Sequence, residues 1–265
     1  MSEREIEQTI EAAYAALAAG EPVEALRISD AIPGDHAERY ILRAEGWIDL
    51  ALEDKAEQEI AEAADLLGKD DGEVRYMRGR LRVLQWRTAE ARSDLEGLQP
   101  EEYGAPLLAL RALIEEIEGG FERADELYAE AAELEPELAC LPPRLSADAF
   151  EERVAQAAAD LPSPFREAFE RTAVIIDPMP TRELLDVANT GHPPHTLGVF
   201  VGAPLTDGEP VPGELPPTIF LFQRNLERYA EDEVRLIEEI RTTLYHELGH
   251  ALGFDEDGVE GLGLA

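Results

Sequence analysis

Cysteine is nearly missing from this sequence of 265 residues, with Cys140 the only one. An internal disulfide is therefore excluded, and so is a zinc cluster built on thiolates. Lysine is almost as scarce. It occurs at Lys55 and Lys69 only, and arginine supplies the other bases. Bases number 23 against 58 acids, for a formal net charge of −35. A field of that sign repels nucleic acid phosphates and anionic lipid heads, which argues against both as partners. The charge is −21 over residues 1–140 and −14 over 141–265, so the surface is acidic throughout. No apolar run approaches the ~20 residues of a membrane span. The first residues, Met1-Ser2-Glu3-Arg4-Glu5, show neither a basic n-region nor an apolar h-region. A cytoplasmic protein is the expectation.

Apolar residues make up 45% of the chain, enough for a folded core. Residues 1–138 read as consecutive helices rich in alanine, leucine and glutamate, with apolar positions at three and four spacing, as in Ile6, Ile10, Tyr14 and Leu17. A weak repeat runs through them. Aligning its turns matches Ala25, Ala56, Ala89 and Ala124, spaced 31, 33 and 35 residues apart. A period near 34 with helix-turn-helix units predicts an all-α array of tetratricopeptide-like repeats over 1–138. By analogy with such arrays, a protein or peptide partner is expected there, with no binding residue specified.

The texture changes at 138–147, where Cys140-Leu141-Pro142-Pro143-Arg144 reads as a linker. An α+β domain is expected over 146–265. Ser146 is a fitting N-cap for a helix reaching about Asp160, and a short helix is expected from Phe165 to Arg171. Ala173-Val174-Ile175-Ile176 reads as a buried strand. Leu197–Val201 and Thr218–Phe222 read as two more, the last able to pair with an extended substrate as an added strand. A final amphipathic helix is predicted from Glu231 to Leu252, with Val234, Ile237, Leu244, Leu248 and Ala251 on its apolar side and Leu236 and Ile240 widening the stripe.

That helix carries the chemistry. His246 and His250 lie four apart, so one helical turn puts both imidazoles on one face, close enough to share a metal ion. Two of the five histidines of the chain fall at this spacing. Glu247 can stand beside a metal-activated water without being a ligand, the HExxH pattern of zinc peptidases. Zn2+ would lower the pKa of water from about 16 to roughly 7, and Glu247 would be the general base. Gly253 can end the helix in a left-handed turn. A residue three beyond it can reach the metal. That residue is Glu256, with Asp255 as the alternative third ligand. His192 and His195, in a proline-rich loop, are not expected to be ligands.

Residues from about 146 to 264 resemble the bacterial zincin-like metallopeptidase domain family, a minimal relative of matrix metalloproteases. The resemblance rests on Phe165-Arg166-Glu167-Ala168, on Leu197 to Thr206 with its closing Pro-Leu-Thr, and on Pro217 to Phe222 as an edge strand. It continues through Arg241 to His250 and Glu260-Gly261-Leu262-Gly263. It implies a metzincin-like fold with a carboxylate third ligand, aspartate in the family at the place of Glu256. No methionine follows Met179, so the methionine turn of full metzincins is not expected. The reading that follows is a zinc metalloendopeptidase acting on a peptide or protein substrate recruited by the helical repeats. The alternative is a non-catalytic binding scaffold with a structural or vestigial zinc site.

Overall fold

The computed structural model describes residues 2–188, 193–205, 215–255 and 258–259. The chain divides into two compact units, Met1–Glu115 and Glu116–Ala265. No helix among the described residues is long and apolar enough to cross a membrane.

The first unit is helical: α1 (Glu3–Ala18), α2 (Pro22–Ser29), α3 (Ala37–Asp49), α4 (Glu53–Leu67), α5 (Gly72–Leu84), α6 (Thr88–Leu95) and most of α7 (Pro100–Ile117). Local chemistry sets the starts. Ser2 and Glu5 form a capping box on α1, Pro22 opens α2, and the Asp71 carboxylate accepts from the amides of Glu73 and Val74 at the head of α5. From α1 to α6 each helix packs on the next, and α1, α3 and α5 also touch in turn.

One turn recurs in this sequence of helices. Gly20, Ala51, Trp86 and Gly119 all have positive φ, at 72°, 53°, 61° and 81°. Their amides donate to the carbonyls of Leu17, Ile48, Val83 and Glu116 at 2.9, 2.9, 2.9 and 3.1 Å. After the first three, the next amide reaches back to Ala16, Trp47 and Arg82, completing a Schellman turn. Five residues beyond each left-handed residue stands a fully buried alanine: Ala25, Ala56, Ala91 and Ala124. The third of these differs from the sequence alignment, which matched Ala89. Ala89 is exposed. The register is set by the left-handed residue, which in that turn is Trp86.

The second unit opens with the end of α7 and continues with α8 (Phe121–Leu134), α9 (Ala147–Ala159), α10 (Phe165–Glu170), β1 (Ala173–Asp177), α11 (Arg182–Ala188), β2 (Gly198–Val201), β3 (Thr218–Phe222), α12 (Gln223–Tyr229) and α13 (Glu233–Ala251). Ser146 caps α9 as its sequence suggests, accepting from the Ala149 amide. The strands form a small mixed sheet of order β1-β3-β2, with β1 parallel and β2 antiparallel to β3. Two strand expectations change. β3 is central, so its edges are occupied by β1 and β2 and cannot take an added strand. β1 is only half-buried, with Ile175 exposed, because it has a strand on one side alone among the described residues. Helices α11 and α12 carry no strong sequence signal, being seven residues each.

The core joins Phe150 and Val154 of α9, Ile219 and Leu221 of β3, and Leu226 of α12 to a stripe on α13 made of Leu236, Ile240, Leu244 and Leu248. The stripe keeps strict four-residue spacing. Val234, expected within it, is exposed. Anchored on this stripe, α13 packs against α9, α10 and α12 and against β2 and β3.

Candidate metal and catalytic site

Helix α13 is capped by Asp232, whose side chain accepts from the Arg235 amide at 2.8 Å. Its last two turns carry His246, Glu247 and His250. Gly253, at φ 92°, turns the chain away. The Gly253 amide donates to His250 O at 2.9 Å and the Phe254 amide to Gly249 O at 3.1 Å, so the helix ends in a Schellman turn as expected from its glycine. The carbonyl of Ala251, left over at the helix end, accepts from the Leu205 amide at 2.6 Å. That bond ties the Ala203-Pro204-Leu205 segment to the site.

The reversal brings a backbone carbonyl to the second histidine. His250 Nδ1 lies 3.1 Å from Phe254 O. A carbonyl oxygen can only accept, so Nδ1 carries the proton, and in the neutral imidazole that leaves the Nε2 lone pair for a metal. That Nε2 lies 3.2 Å from His246 Nε2, with the two rings nearly perpendicular at 77°. Two bonds of about 2.0–2.1 Å meeting at a tetrahedral angle would separate the nitrogens by about 3.3 Å. The pair therefore suits a single zinc ion in spacing and in donor chemistry. Among the described residues no three metal-binding side chains cluster.

Asp255 is exposed. Its Oδ1 accepts from the Gly258 amide at 3.0 Å and its carbonyl from the Val259 amide at 2.9 Å. One carboxylate oxygen is thus engaged in closing a turn. Glu256 lies outside the described residues, as does His192. The turn docks back on the active helix through Val259, which is fully buried. A Cβ on Gly249 would lie 2.7 Å from Val259 Cγ2, so the second x of the HExxH segment has to be glycine for this docking. Gly249→Ala is expected to cost about 1–3 kcal/mol by overpacking, read as a fall in thermal midpoint. An unchanged midpoint would mean that the turn is not docked there.

Glu247 is buried, at 7% exposure. With His246 and His250 it lines a cleft of about 660 Å³. The facing wall is apolar: Val187 and Ala188 at the end of α11, Val199 to Val201 of β2, then Gly202, Ala203, Pro204, Leu215 and Phe254. Asp255 stands at the cleft as well, and His195 is not among its lining residues. Val187, Ala188 and Leu215 carry no signal in the sequence that marks them as cleft residues. Val187 and Ala188 stand at the end of the short helix α11 and Leu215 just before β3, and apolar side chains there have no chemical signature.

Comparison with curated proteins gives no match for the chain. The sequence model of a family described as zincin-like metallopeptidase matches residues 169–264, which include the three strands, α13 and the His246–His250 segment.

Proposed function

We propose that the second unit is a zinc-dependent peptidase in which His246 and His250 hold the metal and Glu247 is the general base. The observation that carries this reading is the convergence of the two Nε2 atoms at 3.2 Å, one held in the metal-binding tautomer by Phe254 O. A buried carboxylate stands beside them in a cleft. For the third ligand, Glu256 has the spacing, and the engagement of Asp255 Oδ1 with Gly258 leaves Asp255 as the lesser choice. When bound, zinc supplies Lewis-acid activation of water and of the scissile carbonyl. Glu247 takes the proton of the attacking water and delivers it to the leaving amine. Its burial keeps bulk water from competing for that proton. β2 has a strand on one side alone among the described residues, so its other edge can bind an extended peptide by main-chain hydrogen bonds. The apolar cleft wall then favours apolar side chains near the scissile bond.

The helices before α9 we read as a tetratricopeptide-like array that recruits a protein or peptide. The support is the fourfold recurrence of left-handed turn and buried alanine.

The test of the site is elemental mass spectrometry on protein purified without chelator. About one zinc per chain is expected, with loss of the metal in His246→Ala and in His250→Ala. Protein that takes up no zinc even when supplied with it would remove the peptidase reading and favour the binding scaffold.

A further inference from the structure

A buried charge needs partners, and the second unit buries two carboxylates, Glu116 and Glu227, outside the HExxH segment. The Glu116 side chain is fully buried. It receives Arg144 Nη2 at 2.9 Å, Arg228 Nη1 at 2.5 Å and the Tyr128 hydroxyl at 3.1 Å. Burial, with Glu116 beside it, pushes the Tyr128 phenol up to about 12, so it remains a donor. Glu227, 1% exposed, receives Arg144 Nη1 at 2.9 Å, Gln223 Nε2 at 2.7 Å and the Leu145 amide at 3.0 Å. Asp125 of α8 takes Arg144 Nε at 2.9 Å and Arg224 Nη1 at 2.6 Å. Three arginines and three carboxylates thus bind α8 to α12.

The network reaches toward the cleft through Asn225, and the link is directional. Asn225 is fully buried. Its Nδ2 donates to Pro194 O at 2.9 Å and to Thr196 O at 2.6 Å. Carbonyls only accept, so the amide nitrogen has to face that loop and Oδ1 has to face away from it. Oδ1 accepts from Arg228 Nη2 at 2.6 Å, and the other arm of the same guanidinium lies on Glu116. The loop held by Asn225 runs straight into β2, whose residues form the cleft wall.

We propose that Glu116, Arg228 and Asn225 are positioning residues that hold loop 193–197 and strand β2 in place against the cleft. Glu116, at the end of α7 and outside the matched span 169–264, thereby becomes a working part of the catalytic unit, an assignment that rests on the peptidase reading of that cleft. The active helix is secured separately by its own apolar stripe. Breaking the relay therefore releases the wall and spares the metal ligands.

The experiment is hydrogen exchange by mass spectrometry on full-length, zinc-loaded protein, comparing wild type with Asn225→Asp and Glu116→Gln. Asn225→Asp turns a donor into an acceptor facing two carbonyls. Exchange over residues 193–201 is expected to rise at least about tenfold, and less in Glu116→Gln, with residues 236–251 unchanged. Zinc per chain stays at the wild-type value. With any peptide the wild type cleaves, KM rises about tenfold while kcat changes little. Unchanged exchange over 193–201 in both variants would overturn the relay. So would an equal rise over 236–251, which would assign the network to overall stability instead. The exchange readout does not depend on hydrolysis, so inert wild-type protein would count against the peptidase reading alone.

Discussion

Glu247→Gln is expected to lower peptide hydrolysis by about 10³-fold or more while zinc content stays at the wild-type level. A general base contributes about 10²–10⁴-fold, and glutamine keeps the shape of glutamate without its ability to take a proton. The residue is buried in the cleft beside the histidine pair, so an isosteric change should leave α13 and the ligands where they are. The measurement is turnover of a quenched-fluorescence peptide library, with elemental analysis of the same preparations. Hydrolysis that survives in the variant would mean that Glu247 is not the base. Loss of zinc together with hydrolysis would mean that the carboxylate supports the site rather than the proton transfer.

The second large effect concerns stability. Glu116→Ala is expected to destabilise the second unit by about 3–5 kcal/mol, the cost of removing one partner from buried ionic pairs. Arg228 and Arg144 would lose their shared acceptor, and the Tyr128 hydroxyl would lose the carboxylate it donates to. Denaturant unfolding monitored by circular dichroism reads this directly. A change below about 1 kcal/mol would show that water or neighbouring carboxylates take over, as at an exposed pair. Glu116→Gln, which keeps a hydrogen-bonding oxygen and the volume, should stay near the wild type in the stability of the unit.

Much of the local structure was legible because its causes are local. Ser146 and Gly253 mark their helix ends through a side-chain cap and a left-handed turn, and both stand where their sequence neighbourhoods indicate. The three strands lie within a residue of their β-branched and aromatic runs. The misplacement at Ala89 has a different origin. Its turn depends on Trp86 at positive φ, a conformation that costs roughly 1–2 kcal/mol for a residue with a side chain. Such a residue is tolerated through the hydrogen bonds around it, and those cannot be read from its name. The central position of β3 was equally hidden, since strand order depends on pairings between residues far apart in the chain, such as Ile175 with Phe220 and Val199 with Phe220.

By itself the sequence determined the acidic character of the chain, its helical first part and the candidate chemistry of His246, Glu247 and His250. A four-residue spacing on one helix sets two side chains side by side whatever surrounds them. Only the tertiary structure decided that Phe254 O orients His250, that Val259 closes on Gly249, and which apolar residues wall the cleft. It alone joined Glu116 to Asn225 across 109 residues of sequence. The physical reason is that an isolated buried charge is too costly to persist, and the partners that make it tolerable are found by packing rather than by proximity along the chain.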